Sequence, residues 1–121
     1  MMDINLDEKT GVVHIQPHAA LTEADFSQLT TLIDAYIQQQ GLLKGVIIET
    51  KEFPGWEDIK AFIAHVKFIK SHHKKVQKIA LVTNSKLADI ARTCIAPFIV
   101  PEIKHFPYGQ VELANLWIEQ P

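Results

Sequence analysis

The chain has 121 residues, 47% apolar and 21% charged, with a formal net charge of −2. That is one domain's length, apolar enough to build a core, and the composition excludes disorder. The balanced charge gives no global reason to expect nucleic acid, and the single cysteine, Cys94, excludes an internal disulfide and fits a reducing compartment.

Residues 1–9 carry acids and no long apolar run, so they read neither as a signal peptide nor as a transit peptide. No stretch approaches the ~20 apolar residues of a membrane span. A cytoplasmic protein without an integral membrane segment is expected. The charge is unevenly spread. Between Ile59 and Ala88 there are seven lysines and no acid, and all fourteen acids lie outside that window. A local basic region on an otherwise acidic body follows.

Ile4 to Leu6 reads as a short alternating strand. Thr10-Gly11 marks a turn, and Val12 to Gln16 reads as a second strand ended by Pro17, which has no N–H for the ladder. Thr22 is a good N-cap for a first helix, with Glu23 and Asp25 suited to its positive end. Phe26, Leu29, Ile33, Tyr36 and Ile37 fall on one helical stripe, and Gly41 can end the helix. The run Gly45-Val46-Ile47-Ile48-Glu49 reads as a buried parallel strand, and Phe53-Pro54-Gly55 as a turn.

A second helix is expected to start near Trp56, with Glu57 and Asp58 in its first turn. Its core stripe is read as Ile59, Phe62, Ile63, Val66 and Ile69, within about 80° of Ile59. Ala61, Ala64 and Phe68 fall on the opposite side and form a second apolar face. That face must bury against a neighbouring helix, a second subunit or an apolar ligand. Ile79 to Val82 reads as the next strand. Asn84 or Ser85 then caps a third helix lined by Leu87, Ile90, Ala91, Cys94 and Phe98, which Pro97 ends or bends. Glu102 to Phe106 is the last strand, Pro107-Tyr108-Gly109 a turn, and Gln110 to Glu119 a final helix.

The fold class that follows is α/β: a mixed, mostly parallel five-stranded sheet covered by about four helices, in the order β-β-α-β-α-β-α-β-α, in one domain spanning residues 1–121.

That order, together with Phe53-Pro54-Gly55-Trp56, Lys78-Ile79-Ala80-Leu81-Val82-Thr83, Ile103-Lys104-His105-Phe106 and Leu113-Ala114-Asn115-Leu116-Trp117-Ile118, resembles the SpoIIAA-like branch of the STAS superfamily over nearly the whole chain. The resemblance implies a non-catalytic module, anti-sigma-factor-antagonist-like in fold. STAS antagonists carry a phosphorylated serine at the start of the helix after the third strand. Here that stretch, Glu52-Phe53-Pro54-Gly55-Trp56-Glu57-Asp58, has none, and Thr50 is the nearest hydroxyl. Glu57 and Asp58 either imitate a phosphate or serve as ordinary partners of the helix dipole. SpoIIAA-like proteins also look like the CRAL-TRIO lipid-carrier fold, which implies binding of small apolar molecules.

The residues divide into a few candidate constellations. Phe53, Trp56 and Phe68 are the candidates for contact with a small apolar or amphipathic ligand. Lys67, Lys70 and Lys74 are the candidates for its anionic end, or else a solvated helix C-terminus where cations are favoured anyway. No aromatic residues are interleaved with these lysines as stacking on nucleic acid would require. A partner protein or a homodimer is the alternative occupant. His14 and His18 do not share a helix and His72-His73 sit among lysines, so no metal is expected. Cys94 reads as a packed thiol. No Gly-x-Ser-x-Gly, phosphate loop or dinucleotide fingerprint occurs, so neither a cofactor nor a catalytic constellation is read. Glu49 and Glu52, at a strand end, are read as a solvated loop rather than an acid–base pair.

Overall fold

The computed structural model describes residues 2–86, 89, 93 and 95–121. Five strands form one sheet in the order of the chain: β1 (Met2–Asp7), β2 (Val12–Pro17), β3 (Leu43–Thr50), β4 (Val76–Thr83) and β5 (Glu102–Phe106). β1 runs antiparallel to β2, and the other three pairings are parallel. The expected mixed, mostly parallel sheet is therefore present. β1 and β2 are longer than the residues alone suggested, and Pro17 closes the ladder opposite Met2.

Among the described residues there are three α-helices: α1 (Glu23–Gln40), α2 (Ile59–His72) and α3 (Val111–Glu119). The expected count was about four. The residues named for the other helix, Leu87, Ile90, Ala91 and Cys94, lie outside the described residues, while its expected end is a 3-10 turn over Ala96–Phe98 that contains Pro97.

Thr22 caps α1 as expected. Its hydroxyl accepts from the Asp25 N–H while the Asp25 carboxylate accepts from the Thr22 N–H, a capping box that satisfies two otherwise free donors. The Gly41 N–H closes the other end on the Ile37 carbonyl, with Gly41 at a positive φ of 86°.

The sheet buries two cores, one on each face. Val13, Ile15 and Val46 pack with Phe26, Leu29 and Ile33 of α1, and Ala64 and Phe68 of α2 lie against the same cluster. Val12, Ile47, Ala80 and Val82 pack with Ala114 and Ile118 of α3 on the other face. Alternate residues of one strand thus feed opposite cores, which is why β3 reads as a continuous apolar run rather than an alternating one. Gly45 lies under Ile118, where a Cβ would meet its Cγ2 at 2.6 Å. The Lys78 ammonium donates to the carbonyls of Trp117 and Gln120, each at 2.7 Å, and holds the C-terminal end of α3.

α2 corrects two expectations. It starts at Ile59, and Asp58 is its N-cap, with the carboxylate accepting the Ala61 N–H at 2.9 Å. Its faces are also the reverse of those read. Ala61 is fully buried and Ala64 and Phe68 face the core, while Ile59, Phe62, Ile63 and Val66 are 43–74% exposed. The small residues Ala61 and Ala64 let the backbone come close to α1, and this close approach decides which of two apolar faces goes inside.

Candidate functional site

The inward face of α2 is a row of rings. With about 100° per residue, Ala61, Ala64, His65, Phe68 and His72 fall within about 100° of one another. The His65 ring stacks on Phe26 of α1 with centroids 4.9 Å apart, and Phe68 lies 6.2 Å from Phe26 and 4.3 Å from His72. His72, buried, places Nε2 2.7 Å from the Asp34 carboxylate and Nδ1 2.8 Å from the Phe68 carbonyl.

The loop before α2 is fastened to this layer. Leu21 N–H donates to the Gly55 carbonyl and Glu57 N–H to the Leu21 carbonyl, both at 2.8 Å. The Trp56 indole N–H donates to Nδ1 of His65 at 3.0 Å. Indole nitrogen is a donor only, so Nδ1 is the acceptor and the ring proton sits on Nε2. Phe53 and Phe62 meet the Trp56 ring edge-on at 5.1 and 4.8 Å.

Burial pushes the His65 pKa down from 6.5 to about 4. As pH falls, the unfolded chain takes up this proton before the folded one does. The contribution of neutral His65 to stability is therefore complete above pH 6.5 and shrinks towards pH 4, a loss of order 3 kcal/mol at most. Denaturant midpoints measured between pH 7 and 4 should fall, and His65→Asn should flatten that slope. An unchanged slope in His65→Asn would assign the acid sensitivity to other groups.

The outward face of α2 is apolar over its first two turns and basic beyond. Ile59, Ile63 and Val66 share it with Lys67 and Lys70, which lie about 80° and 20° from Ile59 on a helical projection. Lys67, Lys70 and Lys74 are exposed, and none forms an ion pair with a described carboxylate. Phe98 and Val100 are exposed as well, and the Val100 N–H donates to Nδ1 of His73, next to the C-terminal end of α2.

At the ends of β2 and β3 a shallow cleft of about 270 Å³ is lined by Gln16, His18, Glu49, Thr50, Glu52 and Tyr108, among others. The Glu49 carboxylate is held by His14 at 2.8 Å and by the Gln16 amide at 3.0 Å, so Glu49 sits in a hydrogen-bonded group on the sheet, not in the solvated loop read from sequence. Thr50 is half-buried and its hydroxyl donates to the Glu52 carbonyl at 2.8 Å. In open α/β sheets ligands collect where the helices change face between adjacent strands. Here α1 and α2 pack on the same face, so β2, β3 and β4 form no such crevice.

Of the residues singled out in the sequence, Phe53 and Trp56 are brought together. Phe68 lies beneath α2 in the α1 contact, and Lys67 and Lys70 are gathered on the opposite side beside Ile63 and Val66. His65 was missed. A histidine on the stripe of Ala61, Ala64 and Phe68, nine residues from a tryptophan, was the available signal. Each of the six histidines has a hydrogen-bond partner, including His18 with Asp3 and His105 with the Thr83 carbonyl. No group of three or more metal-ligating side chains occurs among the described residues, and no described helix is long and apolar enough to cross a membrane.

No protein of curated function matches the chain. The crystal structure of an uncharacterized protein from the DUF3478 family with a SpoIIAA-like fold, from Shewanella loihica PV-4, is similar, with a TM-score of 0.74 over 98% of this chain and 92% of that one. At 20% sequence identity that likeness speaks for the fold. The SpoIIAA-like family profile matches residues 12–119, which hold strands β2 to β5 and every helix described above. The chain belongs to the SpoIIAA-like family.

Proposed function

We propose that the protein is a non-catalytic, cytoplasmic binding module that takes a small apolar or amphipathic, lipid-like ligand along the outward face of α2. The observation that carries this reading is the uncovered row Ile59, Phe62, Ile63 and Val66. Large side chains grouped in this way mark a binding surface more often than single exposed ones do. Phe53 and Trp56 frame the apolar end, Lys67, Lys70 and Lys74 meet an anionic group, and Phe68 holds the helix from beneath. From Ile59 to Lys70 the helix rises about 16 Å, which sets the apolar length that such a ligand needs.

A second reading is favoured by family membership: the same face binds a partner protein or a second copy of the chain, in the manner of a STAS regulatory domain. Thr50, at the end of β3, is then the hydroxyl proposed for modification.

Native mass spectrometry of freshly purified protein, followed by solvent extraction, separates the two. Retained mass that extracts as a fatty acid or similar molecule, and that Val66→Glu abolishes without lowering the melting temperature, supports the ligand reading. A ligand-free dimer that Val66→Glu splits supports the second. A ligand-free monomer that does not bind oleate overturns the first.

A further inference from the structure

We propose that the Trp56–His65 contact is a proton-operated latch: protonation of His65 frees Trp56 and the loop residues 53–57 from α2, while the far end of the helix stays on α1. The device goes beyond the binding reading and holds whatever the outward face takes.

The geometry is one-sided. Nδ1 of His65 faces an indole N–H at 3.0 Å. A proton added there sets donor against donor, on a half-buried ring held between Phe26 and Trp56 where a charge is less well solvated than in water. Among the described residues no carboxylate forms an ion pair with His65. On α1, Asp25 closes the capping box with Thr22 and Asp34 faces His72. Asp58 caps Ala61, while Glu23, Glu57 and the α2 lysines Lys60 and Lys67 are exposed. None of these forms an ion pair with His65.

At the other end of α2 both ring nitrogens of His72 face oxygen acceptors, the Phe68 carbonyl and the Asp34 carboxylate, so that end is held by bonds that do not involve Trp56 or His65. The N-terminal end has the means to move. Gly55, at a positive φ of 83°, precedes Trp56. The loop is anchored at its ends, where the Lys51 carbonyl accepts from the Asn84 N–H and the Thr83 hydroxyl, the Glu52 carbonyl accepts from Thr50, and Asp58 caps Ala61; between them it is held by two main-chain bonds to Leu21 and by its ring contacts.

Linkage sets the size of the effect. Opening restores water to His65, so the open fraction grows by up to about tenfold per pH unit below 6.5 and by about 150-fold at pH 4.

The measurement is hydrogen exchange of the Glu57 amide by NMR, corrected for intrinsic exchange, between pH 6.5 and 4.5. The expected result is protection at least a hundredfold below that of the Ile47 and Val82 amides, falling by up to about tenfold per pH unit. In His65→Asn, whose amide oxygen can stand where Nδ1 stood but takes no proton, protection should not change with pH. Glu57 protection that equals the strand amides, stays flat in the wild type, or keeps its slope in His65→Asn overturns the latch. Should His65→Asn fail to fold, ¹⁵N shifts of the wild-type ring decide: an unprotonated Nδ1 at pH 7 is expected, and a protonated one overturns it.

Discussion

Phe68→Lys is expected to melt the α1–α2 layer, and Val66→Lys, two residues away, to leave stability unchanged. Phe68 sits between Phe26 and His72 in the core. Lysine there removes a ring and brings an ammonium under the helix, at a cost of about 3 kcal/mol. For a domain of this size the melting temperature should drop on the order of 10 °C. Val66 faces outward, so its replacement should stay within about 0.5 kcal/mol. Thermal unfolding by circular dichroism measures both. The opposite pattern, with Val66→Lys the damaging change, would mean that α2 sits with its isoleucines inward after all.

Gly45→Ala is expected to be the most damaging single-methyl change in the sheet. The new Cβ would lie 2.6 and 2.8 Å from Cγ2 and Cδ1 of Ile118, which is itself buried. Neither β3, paired on both sides, nor α3, held by Lys78, can withdraw cheaply. A cost of about 3 kcal/mol is expected from such overpacking. The cause is separable. In a double-mutant cycle with Ile118→Ala, the pair should destabilise by about 1–3 kcal/mol less than the sum of the single changes. Strict additivity in urea unfolding would place the cost in the glycine backbone and not in the contact.

Most of the fold was legible. Strands read from apolar runs and turns, and the Thr22 cap, Gly41 end and final helix, came out within a few residues because their signals are local. The resemblance to the SpoIIAA-like family, drawn from the order of four short motifs, was likewise sound. The faces of α2 were misread because both are apolar, and periodicity gives a direction but no sign when two directions qualify. Lys70, about 20° from Ile59 on the helix, carried the missing sign, since an uncompensated ammonium does not sit at the middle of a core stripe. Trp56 was placed in α2 because Asp58 was read as a first-turn acid rather than as the cap. The Trp56–His65 bond and the Glu49 group with His14 and Gln16 join residues that the chain keeps apart, and no local pattern announces them.

The agreement between strand order and chain order has a consequence for synthesis. Each strand, as it leaves the ribosome, finds its neighbour already made and at the open edge of the sheet. None has to be threaded between two that have already paired. The half made of β1, β2, α1 and β3 can bury Val13, Ile15, Val46, Leu29 and Ile33 before β4 exists. The sheet can therefore grow in one direction at the pace of translation, and α3, arriving last, packs onto the second core from the other side.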